Sequence, residues 1–157
     1  MKITLLCIGK TDESFVETGV QKYIKRIKHY IGFSLQVIPD IKNSKNLNQA
    51  QQKNKEAELI LKQIGNSDFV VLLDEKGKEL RSVEFADYLN KHLIGSTQHL
   101  VAVIGGPYGF DDKLYQRANA KLSLSKMTFS HQMIRLFFVE QTYRAFSILK
   151  GEPYHHE

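Results

Sequence analysis

Five short apolar runs, separated by stretches of helical period, constrain this chain more than any other feature. Lys2 to Ile8, Phe33 to Ile38, Asp68 to Leu73 and His99 to Ile104 read as strands, and Ala120 to Leu124 alternates apolar with polar residues. Helical patterns fill the intervals. Ser14 to Ile31 places Val16, Val20, Tyr23, Ile24, Ile27 and Ile31 on one face, and a second helix is expected over roughly Leu47 to Ile64, stopped by Gly65 and Asn66. Ser82 to Ile94, with Ser82 as the expected N-cap, and Asp111 to Ala118 follow. A last helix should run from about Ser130 to Leu149, ended by Gly151 and Pro153. Parallel strands need long crossovers, and a crossover helix covers a sheet face, so this alternation predicts an α/β fold: a mostly parallel sheet with helices on both faces. No linker, low-complexity tract or internal repeat interrupts it, and residues 1–157 are expected to form a single domain.

Charge and cysteine usage narrow the function classes. The net charge is +5, and Lys plus Arg outnumber Asp plus Glu by 11 to 6 in residues 1–67 but only match them, 11 to 11, in residues 68–157. The whole excess therefore lies in the first part, which points to an anionic partner such as nucleic acid there. Within the first helix Lys22, Lys25, Arg26 and His29 gather opposite the apolar stripe, as a row of phosphate contacts would require; a merely solvated outer face is the alternative. The single cysteine, Cys7, allows no internal disulfide and sits in an apolar strand, so a cytoplasmic protein with an inert buried thiol is expected. No apolar run approaches the roughly 18 residues of a membrane span.

The final helix is apolar all round. Met133, Ile134, Leu136, Phe137, Phe138, Val139, Tyr143, Phe146, Ile148 and Leu149 encircle its axis, which predicts either a homodimer in which the helix packs on its copy or a central core helix.

Several catalytic signatures are absent. Gly9-Lys10-Thr11 resembles the end of a P-loop, but Thr4 stands where that motif needs glycine. Gly105-Gly106-Pro107-Tyr108-Gly109 lacks dinucleotide-loop spacing, and Asp111 and Asp112 would repel a pyrophosphate at the next helix. The glycine pair instead lets main chain approach a flat, weakly charged ligand such as an adenosine. The histidines are scattered without metal-ligand spacing, so no metal is expected, and no nucleophile elbow is present.

The joint pattern is more specific than its parts. Leu73-Asp74 with Gly77-Lys78, Ile104-Gly105-Gly106-Pro107 with Gly109, Leu124-Ser125-Lys126-Met127-Thr128-Phe129, then His131, Arg135, Glu140-Gln141, Tyr143-Arg144-Ala145 and the ending Tyr154-His155 closely resemble the RlmH (YbeA) family over the whole chain. Membership would imply a SPOUT methyltransferase: a homodimer with an α/β fold and a carboxyl-terminal trefoil knot. It would methylate N3 of a pseudouridine in the helix 69 stem-loop of 23S ribosomal RNA on the assembled ribosome, using S-adenosylmethionine. The resemblance implies that Leu73, Gly105 and the six residues Leu124, Ser125, Lys126, Met127, Thr128 and Phe129 bind this cofactor. It also points to His155 as proton acceptor, Tyr154 as a stacking surface for the target base and Arg144 as a holder of phosphate or uracil oxygens. In the family's dimer the tail of one subunit completes the other's pocket. Where many relatives carry Lys or Arg after the Tyr-His pair, this chain has His156. A SPOUT enzyme for another RNA such as tRNA, and a non-catalytic ribosome-associated RNA-binding module, are the competing readings.

Overall fold

In the computed structural model, which describes residues 1–156, β1 (Lys2–Ile8), β2 (Gly32–Ile38), β3 (Phe69–Glu79), β4 (His99–Ile104) and β5 (Ala120–Ser123) form a parallel sheet in the order β2-β1-β4-β3-β5. The helices are α1 (Ser14–Ile27), α2 (Gln49–Leu61), α3 (Ser82–Ile94), α4 (Asp112–Arg117) and α5 (His131–Leu149). Because strand side chains alternate, Ile3, Leu5 and Cys7 of β1 face a core shared with α1, α3 and α5, whereas Leu6 and Ile8 face a second core shared with α2 and α4. Helices cover both faces, as the alternation predicts.

Element boundaries differ from expectation where local hydrogen bonds decide them. Helix α1 stops at Ile27 instead of Ile31, because His29 N–H donates to Arg26 O and Tyr30 N–H to Ile27 O, turning the chain in time for Gly32 to enter the sheet beside Lys2. His29 thus leaves the helical row that the sequence assigned it. Helix α2 starts at Gln49: Asn48 Oδ1 accepts from Gln51 N–H while the Gln51 amide accepts from Asn48 N–H, a reciprocal cap, and Ser44–Asn46 forms a separate 3-10 turn. Ser82 is not the cap of α3. Arg81 holds that position, its N–H bonded to Glu84 Oε2 at 2.7 Å, and Ser82 Oγ instead donates to Gln141 Oε1 on α5.

Strand β3 departs most from the sequence reading, which ended it at Leu73. Val71, Leu72 and Leu73 pair with Ala120, Lys121 and Leu122; residues 74–77 then leave the ladder, and Lys78 and Glu79 rejoin it opposite Leu122 and Ser123. Gly77 makes the return possible, since a Cβ there would stand 2.5 Å from the Leu122 carbonyl carbon.

Helix α5 lies between α1 and α3 on one sheet face. Phe138, Val139, Ala145 and Phe146 are buried within the chain, while Met133, Leu136, Phe137 and Tyr143 are half-buried. Most of the apolar perimeter is therefore used as a central core helix would use it, Leu136 and Tyr143 packing on α1, and a narrower outer stripe that includes Met133 and Phe137 is left half-open. Ser130 Oγ caps its start by accepting from Met133 N–H. Its end is a Schellman turn: Gly151, with φ +66°, donates to Ile148 O and Glu152 N–H donates to Ser147 O. That turn sends the tail back toward α1.

Candidate active site

Beyond the carboxyl ends of β4 and β5, and beside the 74–77 excursion of β3, lies a cavity of about 760 Å³, the place where open parallel sheets hold ligands. Of the residues that the resemblance assigns to the cofactor, Leu73, Gly105, Leu124, Ser125, Met127, Thr128 and Phe129 line it. Lys126 does not; its Nζ turns out to Glu79 Oε2 at 3.9 Å. The 74–77 excursion from β3 forms one wall. Asp74 holds it in shape, its Oδ1 accepting from Lys76 N–H and its Oδ2 from the Tyr115 hydroxyl at 2.5 Å. Burial and that carboxylate push the Tyr115 phenol well above its ordinary pKa, so it stays a donor.

The loop after β4 is closed by Gly109 N–H donating to Gly106 O, with Gly109 at φ +78°. Phe110 packs under it, and a Cβ on Gly105 would lie 3.1 Å from that ring. The loop after β5 is shaped by Ser123 Oγ donating to Ser125 O and by Met127 N–H donating to Ser125 Oγ. Met127 is 74% exposed at the rim, beside half-covered Phe129. From below, Arg135 of α5, 1% exposed, ties the end of β1 in place: Nη2 donates to Ile8 O, and Nη1 to Gly9 O and Thr11 Oγ1. Gln132 adds bonds to Lys10 O and from Asp12 N–H.

The Tyr-His tail is elsewhere in the protomer. Glu140 Oε1 accepts from Arg144 Nη2 at 2.6 Å, Arg144 Nε at 3.1 Å and the Tyr154 hydroxyl at 3.0 Å; the last also pairs with the Tyr23 hydroxyl at 3.1 Å. The Arg144 guanidinium lies 4.6 Å over the Tyr154 ring, and Arg144 Nη1 is 3.3 Å from His155 Nδ1. The Glu140 hydrogen bond holds Arg144 still more firmly cationic, and burial pushes the Tyr154 phenol up. None of Arg144, Tyr154 and His155 lines the cavity. Ile134 does, and Arg144 stands ten residues along α5 from it, or roughly 15 Å at a helical rise.

The basic row of α1 meets this cluster. Arg26 sits 5.4 Å over Tyr143 and 5.8 Å over Tyr23, while Lys22 and Lys25 are exposed on the same helix. Two features that sequence order separates by more than a hundred residues thus share one surface. Cys7 takes no part: it is buried, and desolvation pushes its thiol up to about 12.

A family model described as "Predicted SPOUT methyltransferase" matches residues 1–155. The chain belongs to the SPOUT methyltransferase family. It is 58% identical over 156 residues to "Ribosomal RNA large subunit methyltransferase H" of Christiangramia forsetii, covering 99% of both chains, and 59% identical over 157 residues to the protein of the same name from Bacteroides thetaiotaomicron, covering 100% of both. Among solved structures it is similar to the SpoU methyltransferase AviRb from Streptomyces viridochromogenes in complex with AdoMet, at 9% identity and a TM-score of 0.44, covering 96% of this chain and 61% of that one.

Sequence reasoning on this SPOUT chain missed residues that line the cavity or adjoin it. Glu56 is 3% exposed on the buried face of α2 with Ala57 and Ile60. A carboxylate in step with an apolar stripe was the available signal. Tyr115 and the 74–77 excursion carried none, because both depend on pairing between segments distant in sequence.

Proposed function

We propose that this SPOUT protein is an S-adenosylmethionine-dependent methyltransferase that modifies N3 of a pseudouridine in helix 69 of 23S ribosomal RNA, acting as a homodimer on assembled ribosomes in the cytoplasm. The carrying observation is that the 74–77 excursion of β3 and the loops following β4 and β5 converge on one cavity in a chain that matches large-subunit ribosomal RNA methyltransferases along its whole length. The trefoil knot belongs to the same proposal, and the gathering of those loops supports it.

The cavity fits the cofactor by size and chemistry. Its volume lies in the range of small-molecule sites, Leu73, Leu124 and Met127 offer apolar contact for an adenine, and Asp74, Glu75 and Asp112 suit a ligand bearing positive charge. Bound there, S-adenosylmethionine supplies an electrophilic methyl group. The chain's own residues must align the acceptor nitrogen and take its proton. His155 is offered for the proton, and the Arg144 guanidinium beside it for developing charge on the uracil oxygens. Tyr154 is offered as a stacking surface for the target base, with Arg144 over one face of its ring.

Two-fold packing reconciles the distant tail with the cavity. If the outer stripe of α5 packs antiparallel on its copy, the Glu140–Arg144 end of one protomer faces the His131–Ile134 end of the other, whose cavity then receives Tyr154 and His155. Incubating the protein with radiolabelled cofactor and unmodified ribosomes should label that single nucleotide; no label there refutes the assignment.

A further inference from the structure

We propose that Glu56 is a positioning residue for the cofactor loop, acting through the main chain of Gly106. This deepens the cofactor reading and rests on it. Helix α2 borders the cavity through Lys53, and one turn later Glu56 turns inward. There its carboxylate faces the main chain of Gly106, in the loop after β4, close enough for the Gly106 N–H to favour the charged form, and its Oε1 accepts from Gln52 Nε2 at 3.0 Å. The fit is close enough that a Cβ on Gly106 would stand 2.5 Å from Oε1 and nearer still to Oε2. Burial holds the acid above the ordinary carboxylate range, with Asp40 adding to the shift. A carboxylate buried at such a cost, and set against a loop that lines the cavity, offers that loop's N–H a charged partner in place of water.

Loop conformation then sets affinity. If the binding-competent loop is only fractionally populated, the apparent dissociation constant rises by that fraction. Glu56→Met keeps the volume and removes both acceptors. Glu56→Gln keeps one acceptor, and Gln52 can turn its amide to match the other.

Calorimetric titration of S-adenosylmethionine into the full-length protein and its variants, beside thermal unfolding of each, tests this. Glu56→Met should weaken binding about tenfold or more, the effect of orphaning one buried donor, while Glu56→Gln stays within about threefold. Gly106→Ala, which leaves α2 intact, should weaken binding by a similar factor and gives the same reading if Glu56→Met does not fold. Unchanged affinity in Glu56→Met or Gly106→Ala, or equal losses in the Met and Gln variants, overturns the role of Glu56. No binding by the unaltered protein overturns the cofactor reading, and this inference with it.

Discussion

At the scale of single residues, two positions make quantitative demands. Gly77 faces main-chain atoms of Leu122, which cannot swing aside as a side chain would, so Gly77→Ala should cost about 2 kcal/mol or more of stability, read as a lower urea midpoint. Glu56 makes a pH-dependent demand. Its carboxyl is raised in the folded protein, so the neutral form is favoured there, and the stability present at acid pH is lost as pH climbs through the raised value. Glu56→Gln should therefore have the higher melting temperature at pH 7, with the difference shrinking toward pH 4; an advantage independent of pH contradicts the assignment. Neither role was legible in the sequence. Glu56 gave only the faint signal of a carboxylate in step with Ala57 and Ile60 in a helix of little amphipathic contrast, and Gly77, though part of the joint pattern, needs its strand only because β5 pairs on both sides of the 74–77 excursion. Leu73, Gly105 and the 124–129 segment were legible only as a joint pattern.

Elements were easier to read than their ends. The positions of all five strands followed from apolar period, since β1 and β4 lie buried in the sheet and β2, β3 and β5 carry alternating or turn-bounded runs. The ends were set by caps, such as the reciprocal Asn48–Gln51 bonds, and by tertiary bonds, such as Ser82 to Gln141. Helix α1 shows what an element gains from its neighbours. Lys22 and Lys25 reach solvent, whereas Arg26 is spread over Tyr23 and Tyr143, so the basic row divides into two roles. Replacing Lys22 and Lys25 by alanine should weaken ribosome binding and make the slope of its log affinity against log salt shallower by roughly one to two, as filter binding across a salt series would show. Arg26→Ala should instead lower the methylation rate more than the salt slope, because it loosens the packing that seats the tail. Identical salt slopes in all variants would return α1 to the solvated-face reading.

For the whole molecule, the decisive question is whether the tail acts in its own protomer or, as the proposed dimer requires, in the partner's cavity. Helix α5 is finished by Gly151 and Glu152, so removing the residues from Tyr154 onward leaves its cap intact. The truncated protein should fold and bind S-adenosylmethionine within about threefold of the full chain while losing methyl transfer. Mixing it with a full-length chain disabled in the cavity should restore part of the activity, since one shared site in a mixed dimer is whole. Failure of that complementation, with mixed dimers present in sedimentation, would place the tail's action within its own subunit. No sequence argument could have located the tail, because its seat is built from α1, α5 and the terminus together.

That seat gives the protein an optical signature. The chain has no tryptophan and seven tyrosines, and Tyr23, Tyr30, Tyr143 and Tyr154 are in ring or hydroxyl contact with one another through Tyr143 and Tyr23. Coupled phenol transitions in a fixed asymmetric array dominate near-ultraviolet circular dichroism when no indole competes. The near-ultraviolet circular dichroism of the free protein therefore gauges, without any added label, whether the terminus rests in its berth.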